Sequence, residues 1–412
     1  MELLHPRCAG VDISKKDAKV CVRVAGEGRN RATETVTTWG ATTLRILALR
    51  QHLAEQRVTC VVMEATGDYW KPFYYLLEDL DGAEVMLVNA RDAKNLPGRK
   101  TDVSDAAWLA QLGAHGLLRS SFVPPEPIRE LRDLTRTRTA ITRERSRQVQ
   151  RLEKLLEDAG IKLSAVASDI VGVSGRAMLE ALINGQRDPA VLSELAKGRL
   201  RSKTPELVEA LTGRFREHHA FLARTHLDLI DQHTAAINKL TARIEEVIEP
   251  FRAFRELICS IPGISTTSAD VITAETGADM TRFPTPAHLA SWAGVCPGHH
   301  ESAGRVKSAK TRPGNPYLKA VLGTAAMTAA RNKNNYLGAR YRRIAARRGK
   351  SKAIVAVEHT LLRTIWQMAH TGALYDDLGA NYYTRRQSQQ AKVRALRQLQ
   401  ALGYRVTLDR AS

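Results

Sequence analysis

The chain has 412 residues and a formal net charge of +19, because 62 Lys and Arg outnumber 43 Asp and Glu. With 43% hydrophobic and 25% charged residues it has the composition of a folded protein, which excludes whole-chain disorder, and its length predicts about two or three domains. The positive charge favours a polyanionic partner. Five scattered cysteines predict a reducing compartment without disulfides or structural zinc. The N-terminus has no apolar signal region and charge interrupts the most apolar stretches, so a cytoplasmic protein without membrane spans is expected.

Short β-rich runs alternate with helical patterns in the first part of the chain. Three strands, AGVDIS, AKVCVRVAG and ATETVTT, are followed by a helix from Ala41 to Gln56. A buried strand TCVVMEA, an amphipathic helix around YWKPFYYLLEDL and a strand EVMLVNA complete the order β-β-β-α-β-α-β. A last helix, TDVSDAAWLAQLGAHG, begins at cap-type residues. The pattern predicts an α/β domain over residues 1–123.

The Pro-rich segment FVPPEPIRE predicts a linker, because Pro cannot continue a helix. Beyond it, apolar residues recur at helical spacing among charged ones over residues 128–158 and again over 218–249. These patterns predict two long helices that form a coiled-coil hairpin within a region over 124–254. The stretch 160–213 between them carries no interpretable motif and is expected to be an insertion.

The third predicted region, 255–412, is mainly helical and strongly basic. It begins with ELICSIPGISTTSADVITAETG, in which two helices flank the turn Ile261–Ser265 and resemble a helix-hairpin-helix, which offers backbone N–H groups to a phosphate. Between residues 299 and 352 the only acid is Glu301, and the candidate nucleic-acid-binding residues are Arg305, Lys307, Lys310, Arg312 and Lys319. Such one-sided charge favours a nucleic-acid backbone.

Four acids on three predicted elements are candidate metal ligands. Asp12 follows the apolar residues of the first strand, Glu64 ends the buried strand, and Asp102 and Asp105 lie three residues apart at the start of the last helix. In this order of elements the first and fourth strands are neighbours and the helix packs across both, so the carboxylates can converge. Mg²⁺ prefers such hard oxygen ligands. Other acids nearby are interpreted as structural: Asp17, Asp68, Glu78, Asp79 and Asp81.

The order of these motifs resembles a known family. GVDISKK, MEATGDYW and KTDVSDAAWLAQL, together with SIPGISTTSADVITAETG and FPTPAHLASWAGVCPGHHESAGR, resemble the DEDD transposases of the IS110 family of bacterial insertion sequences, relatives of the Piv-type DNA invertases. The resemblance implies an N-terminal RuvC-like domain of ribonuclease H fold and a C-terminal transposase domain. It also implies that Asp12, Glu64, Asp102 and Asp105 bind Mg²⁺, or Mn²⁺ in its place, and that Ser302 attacks a DNA phosphodiester to give a phosphoserine intermediate.

The resemblance further implies the partners of the protein. They are donor DNA, target DNA and a bridge RNA whose loops pair with both DNAs. A homodimer or homotetramer is expected, in which the acids of one subunit meet Ser302 of another. Ser308 is the nearest alternative to Ser302, and His299 and His300 have no assigned role, although adjacent loop histidines lack the usual spacing of metal ligands.

Two other functions are compatible with the same residues. The acids alone are compatible with a Holliday-junction-type endonuclease that cuts DNA with metal-activated water. A non-catalytic RNA- or DNA-binding relative would also carry the basic charge, although four retained acids argue against it. Substitution of Ser302 separates the first two functions, because a hydrolytic nuclease does not need the serine.

Overall fold

The computed structural model describes residues 3–26, 31–65, 67–90, 93, 104–298, 300–386 and 388–407. The chain divides into two compact units, Met1–Pro124 and Pro125–Ser412. The predicted long-helix region and the basic C-terminal region lie in the same unit, and the division of that unit into two domains stays a prediction. Within the described ranges, no helix combines the length and apolar character needed to cross a bilayer.

The first unit is built on a five-stranded mixed sheet. Its strands are β1 (Arg7–Ile13), β2 (Asp17–Val24), β3 (Thr33–Gly40), β4 (Cys60–Glu64) and β5 (Glu84–Val88), in the order β3-β2-β1-β4-β5. Strand β2 is antiparallel to β1 and β3, whereas β1, β4 and β5 are parallel. The helices are α1 (Thr43–Glu55), α2 (Trp70–Leu77) and α3 (Asp105–Ala114). This confirms the predicted order of elements and the α/β class.

Different helices cover the two faces of the sheet, because successive side chains of a strand point to opposite faces. Val11 and Met63 face one side and share a core with residues of α1 and α2. Cys8 and Val62 face the other side and share a core with α3. The central strands β1 and β4 are therefore buried on both faces, which explains why they are continuous apolar runs.

Helix α3 lies very close to β1. A Cβ atom at Gly10 would lie 2.0 Å from the carbonyl oxygen of Ala106 and 2.4 Å from the backbone nitrogen of Ala110. On the helix side, a Cβ atom at Gly113 would lie 2.8 Å from Sγ of Cys8. Both glycines are needed for this approach. These contacts also give the direction of α3: its last turn covers Cys8, and its first turn lies over Gly10, towards the end of β1.

The second unit is almost entirely helical. Its first part consists of α4 (Glu126–Asp158), α5 (Leu163–Val166), α6 (Val173–Ile183), α7 (Pro189–Glu194), α8 (Thr204–Leu211) and α9 (Glu217–Val247). Helices α4 and α9 are antiparallel, since Leu131 packs near Ile244 and Leu156 packs near Ala223. Two long helices thus lie where the periodicity of apolar residues predicts them, and their assignment to a separate coiled-coil linker region stays a prediction. The short helices α5 to α8 form a small apolar core at its far end.

The rest of the second unit carries the basic stretch. It consists of α10 (Arg252–Cys259), α11 (Thr266–Thr276), α12 (Pro286–Trp292), β6 (His300–Ser302), β7 (Arg305–Ser308), α13 (Pro316–Arg331), α14 (Tyr336–Arg348), α15 (Lys350–Thr371), α16 (Tyr382–Arg386) and α17 (Ser388–Ala401), with 3-10 turns at Gly198–Lys203, Glu249–Phe251 and Met280–Arg282. Helices α10 and α11 flank the predicted turn, where Gly263 has φ +98° and a Cβ would lie 2.4 Å from the carbonyl oxygen of Ala325. Phosphate binding by this turn stays a prediction.

The close approach of α3 to β1 can be tested with Gly10→Ala. The added methyl group must push the helix away, and we expect a loss of about 2 kcal/mol in the free energy of unfolding. Gly82→Ala is the control, because its Cβ would meet nothing within 4 Å and only its φ of +73° is strained, at about 1 kcal/mol. Urea unfolding gives the free energies, and hydrogen exchange of peptides from β1 and α3 locates the change. A loss no larger than that of Gly82→Ala would contradict the packing.

Candidate active site

Asp12 and Glu64 lie side by side at the ends of two parallel strands. The register of β1 and β4 pairs Cys8 with Cys60 and continues to Val11 with Met63, so the next residues along the two strands are Asp12 and Glu64. Side chains of aligned residues in a parallel pair project from the same face. Two residues before the acids, Gly10 and Val62 face α3, and the acids therefore face that side too.

Asp105 is the first residue of α3 and comes to the same end of the sheet. Ser104 caps the helix, since its hydroxyl accepts a hydrogen bond from the backbone N–H of Ala107 at 3.2 Å. A carboxylate in the first turn is favoured by the helix dipole. Because the first turn of α3 lies over Gly10, two residues before Asp12, the structure brings three predicted carboxylates to one end of one sheet face. The fourth, Asp102, lies outside the described residues.

The donor set of this face suits a hard divalent cation. Carboxylate oxygens are the ligands that Mg²⁺ and Mn²⁺ prefer. Asp12, Glu64 and Asp105 do not form a group whose ligand atoms all lie within 4.8 Å of one another. Mg²⁺ does not need such a cage, because it usually keeps several waters and binds through one or two carboxylates together with substrate phosphates. The residues therefore fit a divalent metal ion whose remaining ligands are water and substrate phosphates.

Another group, at the junction of α4 and α9, has ligand atoms that all lie within 4.8 Å of one another: Asp158, His218 and His219. The buried His219 accepts a hydrogen bond from the backbone N–H of Arg216 at Nδ1, so its proton is on Nε2, which lies 2.9 Å from Asp158. This hydrogen bond lowers the pKa of Asp158. Since neither ring nitrogen of His219 has a free lone pair, we interpret the group as a link between two helix ends.

The nearby acids that the sequence assigned to structure have local partners. Asp17 accepts a hydrogen bond from the hydroxyl of Ser14 at 2.7 Å in the β1–β2 turn. Asp68 pairs with Lys71 at 3.0 Å. The hydrogen bond from the Arg50 guanidinium lowers the pKa of Asp79. These contacts support a structural role for the three acids.

In the second unit, Ser302 lies at the tip of an exposed basic hairpin. Strands β6 and β7 are antiparallel and pair Ser302 with Arg305 across a two-residue turn. Both turn residues, Ala303 and Gly304, have positive φ, at +51° and +72°, as a type I′ turn requires. The Ser302 hydroxyl makes no hydrogen bond to any residue that the structure describes, whereas the Ser308 hydroxyl accepts one from the N–H of Lys310 at 3.2 Å.

The base of this hairpin is closed by two glycines. A Cβ on Gly294 would lie 2.8 Å from Cα of Gly314, so the two backbones are in contact. The N–H of Gly298 donates to the carbonyl of Lys310 at 3.0 Å. The next residue after Gly314 is Asn315, whose side chain caps α13. The position of the hairpin therefore depends on Asn315 and on what holds it.

A buried carboxylate, Glu275 on α11, holds Asn315. Glu275 is 0% exposed, and its Oε2 accepts a hydrogen bond from the Asn315 amide. Arg136 of α4 binds the carboxylate through two hydrogen bonds of 2.8 and 2.9 Å, and its guanidinium lies 4.8 Å from the ring centre of Tyr317. Arg132 of α4 donates to the carbonyl of Glu275 at 2.9 Å. The long helix, α11 and the hairpin base are thus joined in one network.

The network is not predictable from sequence pattern, because its members are far apart in the chain and have no periodic spacing. One feature of the sequence points to Glu275 itself: it lies in the run DVITAET, whose neighbouring positions are buried in the structure. A carboxylate at a buried helical position requires a cationic partner. The sequence gives no indication of which Arg supplies it.

The predicted nucleic-acid-binding residues lie mostly on the surface. Arg305, Lys307, Lys310 and Arg312 are exposed on the hairpin and just after it. Lys319 is half-buried on α13 and faces the buried Glu358 of α15. Burial raises the pKa of the Glu358 carboxyl, and the charge of Lys319 opposes this shift. His299 lies outside the described residues, and the role of His300 stays open.

Comparison with known proteins identifies the class of the protein. Residues 9–161 match a family model of DEDD transposases of IS110 elements, and residues 255–342 match a model of the transposase IS116/IS110/IS902 family. The uncharacterized 42 kDa protein of insertion element IS900 from Mycobacterium paratuberculosis is 25% identical over 405 residues, which cover 90% of this chain and 98% of that protein. The uncharacterized 43.6 kDa protein of insertion element IS110 from Streptomyces coelicolor is 27% identical over 314 residues, covering 70% of this chain and 76% of that protein.

Both family models describe transposases, so the protein is an enzyme that cuts and rejoins DNA. The two matches together span more than half of the chain and include the sheet, the three described acids and the Ser302 hairpin. The chain belongs to the IS110 family of insertion-element transposases.

The Glu275 network can be tested with Glu275→Gln. The substitution keeps the shape of the side chain but removes the charge that neutralises Arg136, and we expect a loss of about 3 kcal/mol in the free energy of unfolding. Glu246→Gln is the control, since its ion pair with Arg243 is exposed and is worth less than about 1 kcal/mol. Equal losses in the two variants, measured by urea unfolding, would contradict a central role for Glu275.

The environment of Glu358 predicts a pH dependence. Because burial raises its pKa in the folded chain, the folded state holds the proton more tightly than the unfolded state, and this residue lowers stability as pH rises from the ordinary glutamate pKa to the raised one. Glu358→Gln removes this effect. Thermal unfolding should show the variant gaining Tm relative to wild type as pH rises above the ordinary glutamate pKa. A Tm difference that stays constant over this range would contradict the burial effect.

Proposed function

We propose that the protein is an RNA-guided, site-specific recombinase that moves its insertion element by attack of the Ser302 hydroxyl on a DNA phosphodiester. The observation that carries the proposal is the alignment of Asp12 with Glu64, with Asp105 at the same end of the sheet. Three carboxylates at one end of one sheet face offer the hard oxygen ligands that a divalent metal ion facing nucleic acid needs.

The topology of the first unit supports a RuvC-like ribonuclease H fold. An antiparallel β1-β2-β3 meander continues into parallel strands β4 and β5, with helices on both faces. In this arrangement acids at the ends of the two central parallel strands are next to each other. The same arrangement was implied by the family resemblance, and the position of Asp105 on the covering helix agrees with it.

The proposed chemistry is a phosphoryl transfer through serine. Oγ of Ser302 attacks the phosphorus, the bond from phosphorus to the leaving strand oxygen breaks, and the leaving hydroxyl takes the proton. Attack by the hydroxyl of another DNA strand on the phosphoserine then rejoins DNA and restores the serine. A bound Mg²⁺ or Mn²⁺ would neutralise part of the phosphate charge. Asp12, Glu64, Asp102 and Asp105 would hold it.

The hairpin provides a suitable setting for the serine. Ser302 is exposed and its hydroxyl is not used by the described residues, which leaves it available to a substrate. Arg305, paired directly across the hairpin, and Lys307 place positive charge where a phosphate would bind. Ser308, in contrast, uses its hydroxyl within its own turn. These contacts favour Ser302 as the nucleophile.

The charge of the chain supports a second nucleic-acid partner. No acid occurs between Glu301 and Glu358, and the net charge is +19. A protein that holds both a bridge RNA and two DNAs must neutralise more phosphate than one that holds a single duplex. Base pairing would then read the DNA sequence, while the protein binds backbone.

The experiment is recombination between donor and target plasmids, with and without the RNA transcribed from the flanking non-coding DNA. Asp12→Asn and Ser302→Ala should each reduce RNA-dependent junctions by at least about a thousandfold. Asp68→Asn and Ser308→Ala, the matched controls, should leave junction formation within severalfold of wild type.

Other outcomes would contradict parts of the proposal. Junctions formed equally well without the RNA would exclude guidance. DNA cutting that survives Ser302→Ala but not Asp12→Asn would indicate a metal-dependent endonuclease that uses water. DNA and RNA binding with no cutting under any condition would indicate a non-catalytic relative.

The expected oligomer can be tested by mixing inactive subunits. If the acids and the serine of one reaction come from different subunits, Asp12→Asn and Ser302→Ala proteins should recover part of the wild-type activity when mixed. Full inactivity of the mixture, under conditions where both proteins bind DNA, would contradict sharing between subunits.

A further inference from the structure

A cavity of about 470 Å³ opens between α14, α15 and the segment that follows α15. The residues that matter to its chemistry are Tyr336, Arg340, His359, Arg363, Tyr375 and Asp376. Its volume lies within the ~300–1,000 Å³ typical of small-ligand sites. It is separate from the Ser302 hairpin, because none of the hairpin residues lines it.

Two arginines make the cavity cationic. Arg363 makes no hydrogen bond or ion pair with the part of the chain that the structure describes, and it is exposed at the cavity. Arg340 is half-buried and donates to the hydroxyl of Tyr383 at 3.1 Å, and no carboxylate among the described residues forms an ion pair with it. Burial lowers the pKa of His359, and Arg363 and Arg340 lower it further. Both effects favour the neutral imidazole, which can accept or donate a hydrogen bond to a base.

Two tyrosines provide the aromatic surface. Tyr336 stacks on Tyr383 with ring centres 5.7 Å apart and an angle of 23° between the rings. Tyr375 donates its hydroxyl to Asp377 at 3.2 Å, and the backbone N–H of Tyr336 donates to the same carboxylate at 3.0 Å. Asp377 is thus used in holding the two tyrosines in place. The remaining acid, Asp376, is exposed at the rim and can accept a hydrogen bond from a sugar hydroxyl or a base amino group.

The cavity is bordered by α14, which among the described helices has the largest excess of basic over acidic residues. α14 has the sequence YLGARYRRIAARR, with Arg347 and Arg348 exposed in its last turn. We propose that the cavity holds one unpaired nucleotide of a nucleic-acid strand whose backbone follows α14. The base would pack on Tyr336 and Tyr375, and the phosphate would lie on Arg363 and Arg340. Stacking on aromatic rings together with cationic contacts to phosphate is how proteins bind single strands with little sequence preference.

The first test is binding of fluorescein-labelled single-stranded RNA, single-stranded DNA of the same sequence and duplex DNA to the full chain, followed by fluorescence anisotropy. Arg363→Ala should weaken single-strand binding by about tenfold and duplex binding much less. Arg199→Ala is the matched control, because Arg199 is also exposed but lies in the 3-10 turn Gly198–Lys203, outside the cavity.

If Arg363→Ala weakens binding of the RNA strand alone, the cavity binds RNA. If it weakens binding of the DNA strand alone, the cavity binds DNA. A loss that is equal for single strands and duplex, or no larger than that of Arg199→Ala, would overturn the proposal. Because Arg363 is exposed, its substitution does not threaten folding.

A second measurement locates the strand directly. Single strands that contain 5-iodouracil are irradiated in complex with the wild-type protein, and the crosslinked peptides are identified by mass spectrometry. Crosslinks to Tyr336 or Tyr375 support nucleotide binding in the cavity, and crosslinks confined to other peptides overturn the proposal. Neither test depends on Ser302 chemistry, so failure here is distinguishable from failure of the proposed reaction.

Discussion

The second unit depends on the ion pair and hydrogen bonds that neutralise the buried carboxylate of Glu275. A fully buried charge is tolerated only when cations and hydrogen-bond donors surround it, and the partners that Glu275 recruits come from distant parts of the unit. Arg136 and Arg132 belong to the long helix α4, and Asn315 begins α13. The carboxylate therefore connects the helical hairpin to the base of the loop that presents Ser302.

In the first unit, the packing of α3 on the sheet brings carboxylates together beside a hydrophobic core. The contact of α3 with β1 is possible because Gly10 and Gly113 have no side chain. It places the beginning of α3, and with it Asp105, at the end of the sheet where Asp12 and Glu64 lie. Apolar packing thus positions the acids, and mutual repulsion of the carboxylates can be relieved by a cation.

The sequence predicted the parts of the structure that depend on local pattern. The order of strands and helices, the two long helices and the location of Asp12 and Glu64 at strand ends followed from periodicity and burial. The Glu275 network did not, because Arg136 and Glu275 are 139 residues apart and a single sequence contains no signal for such pairs. The cavity of Arg363 could not be predicted either, since it exists only where the segment around Tyr375 folds back beside α14. Ser302 was singled out by family resemblance, and its exposed hairpin gives a physical reason for that choice.

The most direct test of the account is the identity of the atom that becomes bonded to DNA. A nicked substrate, whose released strand diffuses away after attack, would trap the covalent intermediate, and mass spectrometry of the digested protein would locate the nucleotide adduct. The account predicts an adduct on the peptide that contains Ser302, abolished by Ser302→Ala and by Asp12→Asn. An adduct on Ser308, or cleaved DNA without any covalent protein, would contradict it.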